Sequence, residues 1–431
     1  MVPPGHALCF HRGRRSSRRF WHPEQLAPLP AMDDREFEER FASAFSRAVA
    51  RRIPARGRVG VEMSGGLDSS SIACLAAHHF GADAADRLRM VSIVYRDCPM
   101  AHEGRYMAAV ERYLGIETHR VWQEDEPALV GMDQPTYEVP TAFDCIARRE
   151  RAITRYLRAE GATTLMRGVG GDQLLCSEVE PALPLADLAA EGRWRALPRA
   201  LRSAVRRGAT PYLSLAVEVV RWVVEPLGPG QSIVWGQGAG PAWLAPRVSD
   251  RATRQRDRRA AAWLRERPRL PSERMRRLEL HHAIEALVHG HDRGPVPLEV
   301  THPFLDRSLV ELCLALPFDQ LVRGDQSRSI LRRGLRGRVP DAVLDRRSKA
   351  TMQDALVQAL RREMPRIRPI LGDLRVAERG LVRRAPFVDA LQRARYQGTR
   401  ELTALLRVLA LEWWLRARES GPRPAAVSAI G

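Results

Sequence analysis

The stretch Ser64-Gly65-Gly66-Leu67-Asp68-Ser69-Ser70 follows directly on an apolar run, Val59-Gly60-Val61-Glu62-Met63, and continues into Ser71-Ile72-Ala73-Cys74-Leu75-Ala76-Ala77. That order predicts a short strand, a glycine-rich loop and a helix apolar enough to pack on a sheet. Backbone N–H groups and hydroxyls in such a loop converge on an anion such as a phosphate, and paired glycines let the main chain come close to it. The Walker pattern is excluded, because no Gly-Lys-Ser/Thr follows four spacer residues. A serine–glycine turn that merely caps a helix is the plainer alternative. Strand, loop, Asp68 and helix in the required order argue against it.

The alternation continues. Met90–Tyr95 is strand-like, Tyr106–Leu114 helical, Thr118–Trp122 a weak strand, Ile146–Glu160 helical and Thr163–Met166 a strand. This spacing predicts an α/β fold built on a doubly wound parallel sheet, whose ligands bind at the carboxyl ends of the strands. The last of these strands ends in Arg167-Gly168-Val169-Gly170-Gly171-Asp172-Gln173, so both glycine-rich loops lie at strand ends and can face one another.

On either side the pattern changes. Residues 1–30 read as a turn at Pro3-Pro4-Gly5-His6 with two short extended pieces. Asp33 or Asp34 can cap a helix in which Phe37, Phe41, Phe45 and Val49 form one apolar face. From about residue 180 the chain reads as helical, with no further strands expected, and Pro226–Pro246 as a long surface loop. The last dozen residues read as frayed. The division expected is 1–30 as a linker-like segment, 31–180 as the α/β core and 181–431 as a mainly helical part.

An apolar content of 45% over 431 residues supports sizeable cores. The net charge of +18 is almost entirely arginine: of 69 Lys plus Arg only Lys349 is lysine, leaving 68 arginines. Basic runs at Arg256–Arg259, Arg274–Arg277 and Arg332–Arg336 are not interleaved with aromatics, so solvated helix faces are the first reading and nucleic acid is not an expected partner. The six cysteines form no Cys-x-x-Cys pair, which argues against a zinc site and suits reduced thiols. Leu213–Leu227 is too short and too charged to span a bilayer, and no signal-length apolar segment opens the chain. A cytoplasmic location is the expectation.

Asp172 is the natural partner of Asp68. Two carboxylates from separate loops can hold one or two magnesium ions on the polyphosphate of ATP. Lys349, in Asp345-Arg346-Arg347-Ser348-Lys349-Ala350, is the single ammonium in a chain that otherwise uses guanidinium. A compact point charge suits negative charge building on phosphate oxygens.

Four blocks together resemble the synthetase half of the asparagine synthetase superfamily, whose loop is that of the ATP pyrophosphatases. They are Ser64–Ser70, Gly168–Leu175, His302-Pro303-Phe304-Leu305-Asp306 running to Leu316-Pro317, and Ser329-Ile330-Leu331-Arg332 through Lys349. Pro3-Pro4-Gly5-His6 and Phe20-Trp21 resemble the end of that superfamily's glutaminase domain and its linker. The resemblance implies that Ser64, Gly65, Gly66 and Ser69 bind ATP phosphates, with Ser70 and Gly170 in the same nucleotide-binding set. It implies that Met63, Ile93 and Gly168 line the adenosine, Asp68 and Asp172 carry magnesium, and Lys349 stabilises the adenylation transition state. Such enzymes activate a carboxylate as acyl-AMP and let an amine attack it.

Two departures bear on the finer function. Val2 stands where a nucleophilic cysteine would follow Met1, Cys9 is a poor substitute, and the glutaminase body is missing, so ammonia from glutamine is not expected. Val169 stands where asparagine synthetases carry Glu and β-lactam-forming relatives a Tyr. The Gly-Gly-Asp-Gln form of the second loop, Pro241-Ala242-Trp243-Leu244 and Arg328-Ser329-Ile330-Leu331-Arg332-Arg333 resemble lasso peptide cyclases. That resemblance implies a macrolactam synthetase acting on a precursor peptide, with a leader-binding protein and a cysteine protease as pathway partners. Asparagine synthetase-type amidation with ammonia and a tRNA-modifying enzyme of the pyrophosphatase group are the alternatives.

Three weaker candidates remain. Glu103 follows the second strand and is a candidate catalytic residue that orients ATP or magnesium, or else a solvated helix-start carboxylate. Asp306 reads first as a turn and helix cap. His281, His282, His289, His291 and Asp292 have mixed spacing, which weighs against a metal site.

Overall fold

The computed structural model describes residues 2, 5–30, 32–98, 103–133, 135, 140, 145–177, 181–207, 211–224, 231–232, 236–237, 240–264, 268–287, 298–324, 326–347, 353–396, 399 and 401–420. Lys349, residues 226–230, 233–235 and 238–239 of Pro226–Pro246, and the last dozen residues except Ser420 lie outside them.

The two extended pieces near the start pair as an antiparallel hairpin, β1 (His6–His11) and β2 (Arg14–Arg19). Arg12 and Gly13 both have positive φ, 47° and 74°, the twist a two-residue hairpin turn needs. Trp21 anchors the hairpin through an Nε1–H bond of 2.9 Å to Glu311. The helix Asp34–Ala50 is capped by Asp33, which accepts the Glu36 N–H at 2.8 Å. Its Phe37, Phe41, Phe45 and Val49 are buried, and the Phe45 ring lies 4.5 Å from that of Phe304.

β3 (Arg58–Glu62), β4 (Leu88–Val94), β5 (Thr118–Trp122) and β6 (Ala162–Met166) follow, then a two-residue ladder of β7 (Gln231–Ser232) and β8 (Gly236–Gln237), then β9 (Glu299–Thr301). The central sheet is parallel throughout, in the order β5-β4-β3-β6-β9. Alternate residues serve opposite faces, as the period of a strand requires. Met90 and Met166 join the core with the helices Asp34–Ala50 and Leu67–Phe80, whereas Val91 and Leu165 pack with Ile153 and Leu157 of the helix Ala147–Ala159. Both faces are thus covered by helices. Gly60 makes this close packing possible, because a Cβ there would lie 2.7 Å from Leu157 Cδ1.

β9 corrects the expectation that strands end near residue 180. Three residues are too few to show a period of two; their extended form comes from pairing Glu299, Val300 and Thr301 with Thr164, Leu165 and Met166. Trp243 corrects part of the long surface loop. It is buried in a second core with Leu360, Leu391 and Leu405, its ring edge-on to Phe387 at 5.4 Å and its Nε1–H donating to Glu401 at 2.9 Å. Among the described residues, no helix is long and apolar enough to cross a membrane.

Candidate nucleotide and metal site

Chain order runs from β3 out to β4 and β5, then back across β3 to β6 and β9. The reversal falls between β3 and β6, so their carboxyl ends flank the crevice where open α/β sheets bind ligands. The two glycine-rich loops leave from these two strands.

In the first loop Gly65 has φ +83°, and a Cβ there would come within 3.1 Å of the Glu103 carbonyl and of Met107, so only glycine fits. The loop is tied by its own hydroxyls. Ser69 Oγ accepts the Ser64 N–H at 3.1 Å and lies 3.1 Å from Ser64 Oγ, which in turn accepts the Gly66 N–H at 3.2 Å. Gly66 caps the helix Leu67–Phe80, and its carbonyl accepts the Ser70 N–H at 3.0 Å. The opening turn of this helix is the kind of element whose backbone N–H groups can face an anion. Ser70 is fully buried under the loop.

The second loop closes on the first. A Cβ on Gly168 would lie 3.3 Å from Asp68 Cβ and Ser69 N, and one on Gly171 would lie 2.6 Å from Asp68 Cγ. Gly170 has φ +94° and packs against Leu305 and Phe304. The loop's root is held by Arg167, which is buried, ion-paired to Glu62 of β3 at 2.8 Å and to Glu150, and donates its backbone N–H to Thr301 of β9 at 3.0 Å. Three strand ends are thereby fixed relative to one another. Val169 is half-buried between the loop glycines.

Asp68 and Asp172 meet at one cation. Arg328 donates Nη1–H to Asp68 Oδ1 at 2.9 Å and Nη2–H to Asp172 Oδ1. Its backbone is left-handed, φ 54° and ψ 35°, at the start of the helix Ser329–Gly334. Beside it Arg332 is anchored on the Ser327, Leu344 and Arg346 carbonyls. Burial first, and then the Arg328 charge, hold the Arg332 guanidinium below its ordinary value. Arg346, also buried, pairs with Glu103, donates to the Gly65 carbonyl at 3.2 Å and stacks on Tyr106 at 4.4 Å. Glu103 therefore sits in the wall behind the first loop, bound through a cation to that loop's backbone.

These carboxylates fit a divalent cation. Two acidic groups from separate loops already converge on one positive charge, and Gly171 leaves room for the Asp68 carboxylate. Among the described residues no third His, Cys, Asp or Glu joins them. Magnesium on a polyphosphate takes few protein carboxylates and fills its octahedron with phosphate oxygens and water.

Other expectations find different places. Met63 is fully buried beneath the loop, and Ile93 is half-buried near the end of β4. Asp306 is a helix cap, accepting the Ser308 and Leu309 N–H groups and pairing with Arg51 and Arg52. His281 is buried, while His289, His291, Asp292 and the side chain of His282 lie outside the described residues. Two of the basic runs are partly interior: Arg274 and Arg276 are buried and donate to backbone carbonyls, and Arg333 pairs with Glu38.

The fold and site define an α/β protein with two glycine-rich loops and a paired-carboxylate site at a topological switch point. The chain belongs to the asparagine synthase family, whose model matches residues 40–416. The chain is 28% identical over 184 residues to asparagine synthetase [glutamine-hydrolyzing] 2 of Arabidopsis thaliana, covering 40% of this chain and 30% of that protein. It is 25% identical over 187 residues to amidase chry2 of Gibberella zeae, covering 40% and 28%. It is 34% identical over 96 residues to asparagine synthetase [glutamine-hydrolyzing] 3 of Bacillus subtilis, covering 22% and 15%. The matched stretch thus spans less than a third of each relative's length.

Proposed function

We propose that this chain is an ATP-dependent, AMP-forming ligase that activates a carboxylate as acyl-AMP, releases pyrophosphate and joins the acyl group to an amine. The observation that carries this reading is the convergence of Asp68 and Asp172 on one cation beside the Ser64–Ser69 loop. In this reading the loop's N–H groups and hydroxyls hold the phosphates. Asp68 and Asp172 hold magnesium, which supplies neutralising charge to the polyphosphate when bound. Met63, Ile93 and Gly168 belong to the adenosine side, Gly170 keeps the second loop in its turn, and Lys349 meets the departing pyrophosphate. Glu103 acts through Arg346 on the first loop's backbone.

The substrate class we favour is a small precursor peptide, whose Asp or Glu side chain is adenylated and whose own N-terminal amine closes a lasso-type macrolactam. Holding both reacting groups on one chain replaces a bimolecular encounter with an oriented one. An α-amine titrates near about 7.7–8.0, so part of it is already neutral near pH 7.5 and no strong base is required. Val169, apolar where the resemblance puts Glu in asparagine synthetases, agrees with that. A leader-binding protein and a cysteine protease would complete the pathway. Amidation with ammonia is the second reading, favoured by the asparagine synthetases among the relatives.

The test is an assay for AMP and pyrophosphate with ATP and magnesium, run with candidate peptides and separately with aspartate plus ammonium. Peptide-dependent AMP formation together with loss of one water from the peptide supports the macrolactam reading. Asparagine formation replaces it with the second reading. No AMP with any carboxylate rejects both.

A further inference from the structure

The Arg328 guanidinium bridges Asp68 and Asp172, the two carboxylates to which the reading above gives the metal. From this we infer that Arg328 is a resident counter-ion of the carboxylate pair and keeps bare metal out, so that metal enters only together with the nucleotide. The inference rests on the nucleotide–metal reading of the site.

Four features of this chain point the same way. The Arg328 and Asp68 side chains are only 11% and 13% exposed, so their ion pair is poorly screened by solvent. Asp172 is 34% exposed and leaves the crevice open on that side. Among the described residues, the buried Arg328 Nε has no hydrogen-bond partner, so its fork has a donor to spare for a further acceptor. Its backbone is left-handed, a conformation that glycine adopts without strain and an arginine does not. The side chain is what the strain retains.

The neighbourhood decides what can release it. Arg332, already depressed by burial and by the Arg328 charge, makes the surroundings cationic. A guanidinium displaced from the carboxylates by metal alone would be left beside a like charge. A polyphosphate supplies the missing anion: the phosphates take Arg328 while the metal they carry takes Asp68 and Asp172. Metal and nucleotide binding are then positively coupled, with Arg328 as the coupling residue.

The experiment measures binding, not turnover. Mn2+ alone, and Mn2+ with a non-hydrolysable ATP analogue, are titrated by electron paramagnetic resonance into the native chain, Arg328→Ala and Arg328→Lys. Native protein should bind bare Mn2+ weakly, with affinity rising when the analogue is present. Arg328→Ala should bind bare Mn2+ about tenfold more tightly, within the usual range of such couplings, yet bind the analogue complex more weakly. Arg328→Lys, which reaches one carboxylate at a time, should fall between and guards against misfolding of the alanine variant. A purely structural role for Arg328 would weaken both kinds of binding. Unchanged or weaker bare-metal affinity in both variants overturns the inference. Native protein that fails to bind the analogue at all instead overturns the nucleotide reading, while the bare-metal comparison still reports on Arg328.

Discussion

Asp68 and Arg328 lie 260 residues apart in the chain and 2.9 Å apart across the crevice between the two glycine-rich loops. That contact, with its counterpart on Asp172, ties both loops to the start of the helix Ser329–Gly334. The loops bring the acids from two neighbouring strands; the residue before that helix brings the cation.

Asp68→Asn and Asp172→Asn should each lower AMP formation by about 10²–10³-fold, the range seen when one preorganised electrostatic contact is removed. The double variant should be little worse than either single one, because the pair acts as a unit. Melting temperatures close to native would show that the loss is chemical. Near-native turnover in both single variants would remove these residues from the mechanism.

Gly171→Ala should damage activity with little effect on folding. The added methyl would sit 2.6 Å from Asp68 Cγ and push the carboxylate out of line. The expected readout is weakened metal–nucleotide binding, with urea unfolding within about 1 kcal/mol of native. Gly60→Ala makes the contrast: its methyl meets Leu157 at 2.7 Å, far from the loops, and should cost about 1–3 kcal/mol of stability through overpacking.

Trp243→Ala should destabilise the protein by about 3–5 kcal/mol, as expected for a large aromatic removed from a core. Trp243→Phe keeps most of the volume but strands the Glu401 carboxylate, and should cost less. Neither variant should change the nucleotide dependence of the fraction that remains folded. A selective loss of peptide affinity at unchanged melting temperature would instead make Trp243 a substrate contact.

Asp187 makes stability depend on pH. Burial raises its carboxyl to about 6, against the Ser272 hydrogen bonds and the Arg276 charge, which lower it, and with Glu191, which raises it. Its ordinary value is 3.8, so the folded state holds the proton more tightly. The resulting stabilisation, on the order of 3 kcal/mol at most, is complete below about pH 4 and lost as pH rises through about 6. Asp187→Asn should flatten this part of the stability–pH curve measured by urea unfolding and raise stability at pH 7. An unchanged slope between pH 4 and 7 would exclude Asp187 as its source. Asp306 acts with the opposite sign at lower pH. Burial opposes its charge, but Arg52, the Leu309 N–H and Arg51 outweigh burial and depress it, so its contribution is lost as pH falls through the folded value.

Much of this protein is legible along the chain because strand and helix periods are local. Val59–Met63, Ser64–Ser70 and Gly168–Asp172 declare a strand, a glycine-rich loop and a second such loop without reference to anything distant, and Phe37, Phe41 and Phe45 declare their buried face. Arg328, Arg346 and β9 do not. Arg328 and Arg346 stand in blocks that the sequence marks, but nothing local names the acid each will meet, and three residues cannot show a period. Their roles come from partners hundreds of residues away: Asp68 and Asp172 for Arg328, Gly65 and Glu103 for Arg346, Thr164–Met166 for β9. The same holds for Trp243, which lies in a stretch expected to be surface loop and is buried by helices that follow it. Local pattern states what each segment is; only the packed chain states which charge stands opposite which, because electrostatic pairing depends on distance in space and not on separation in sequence.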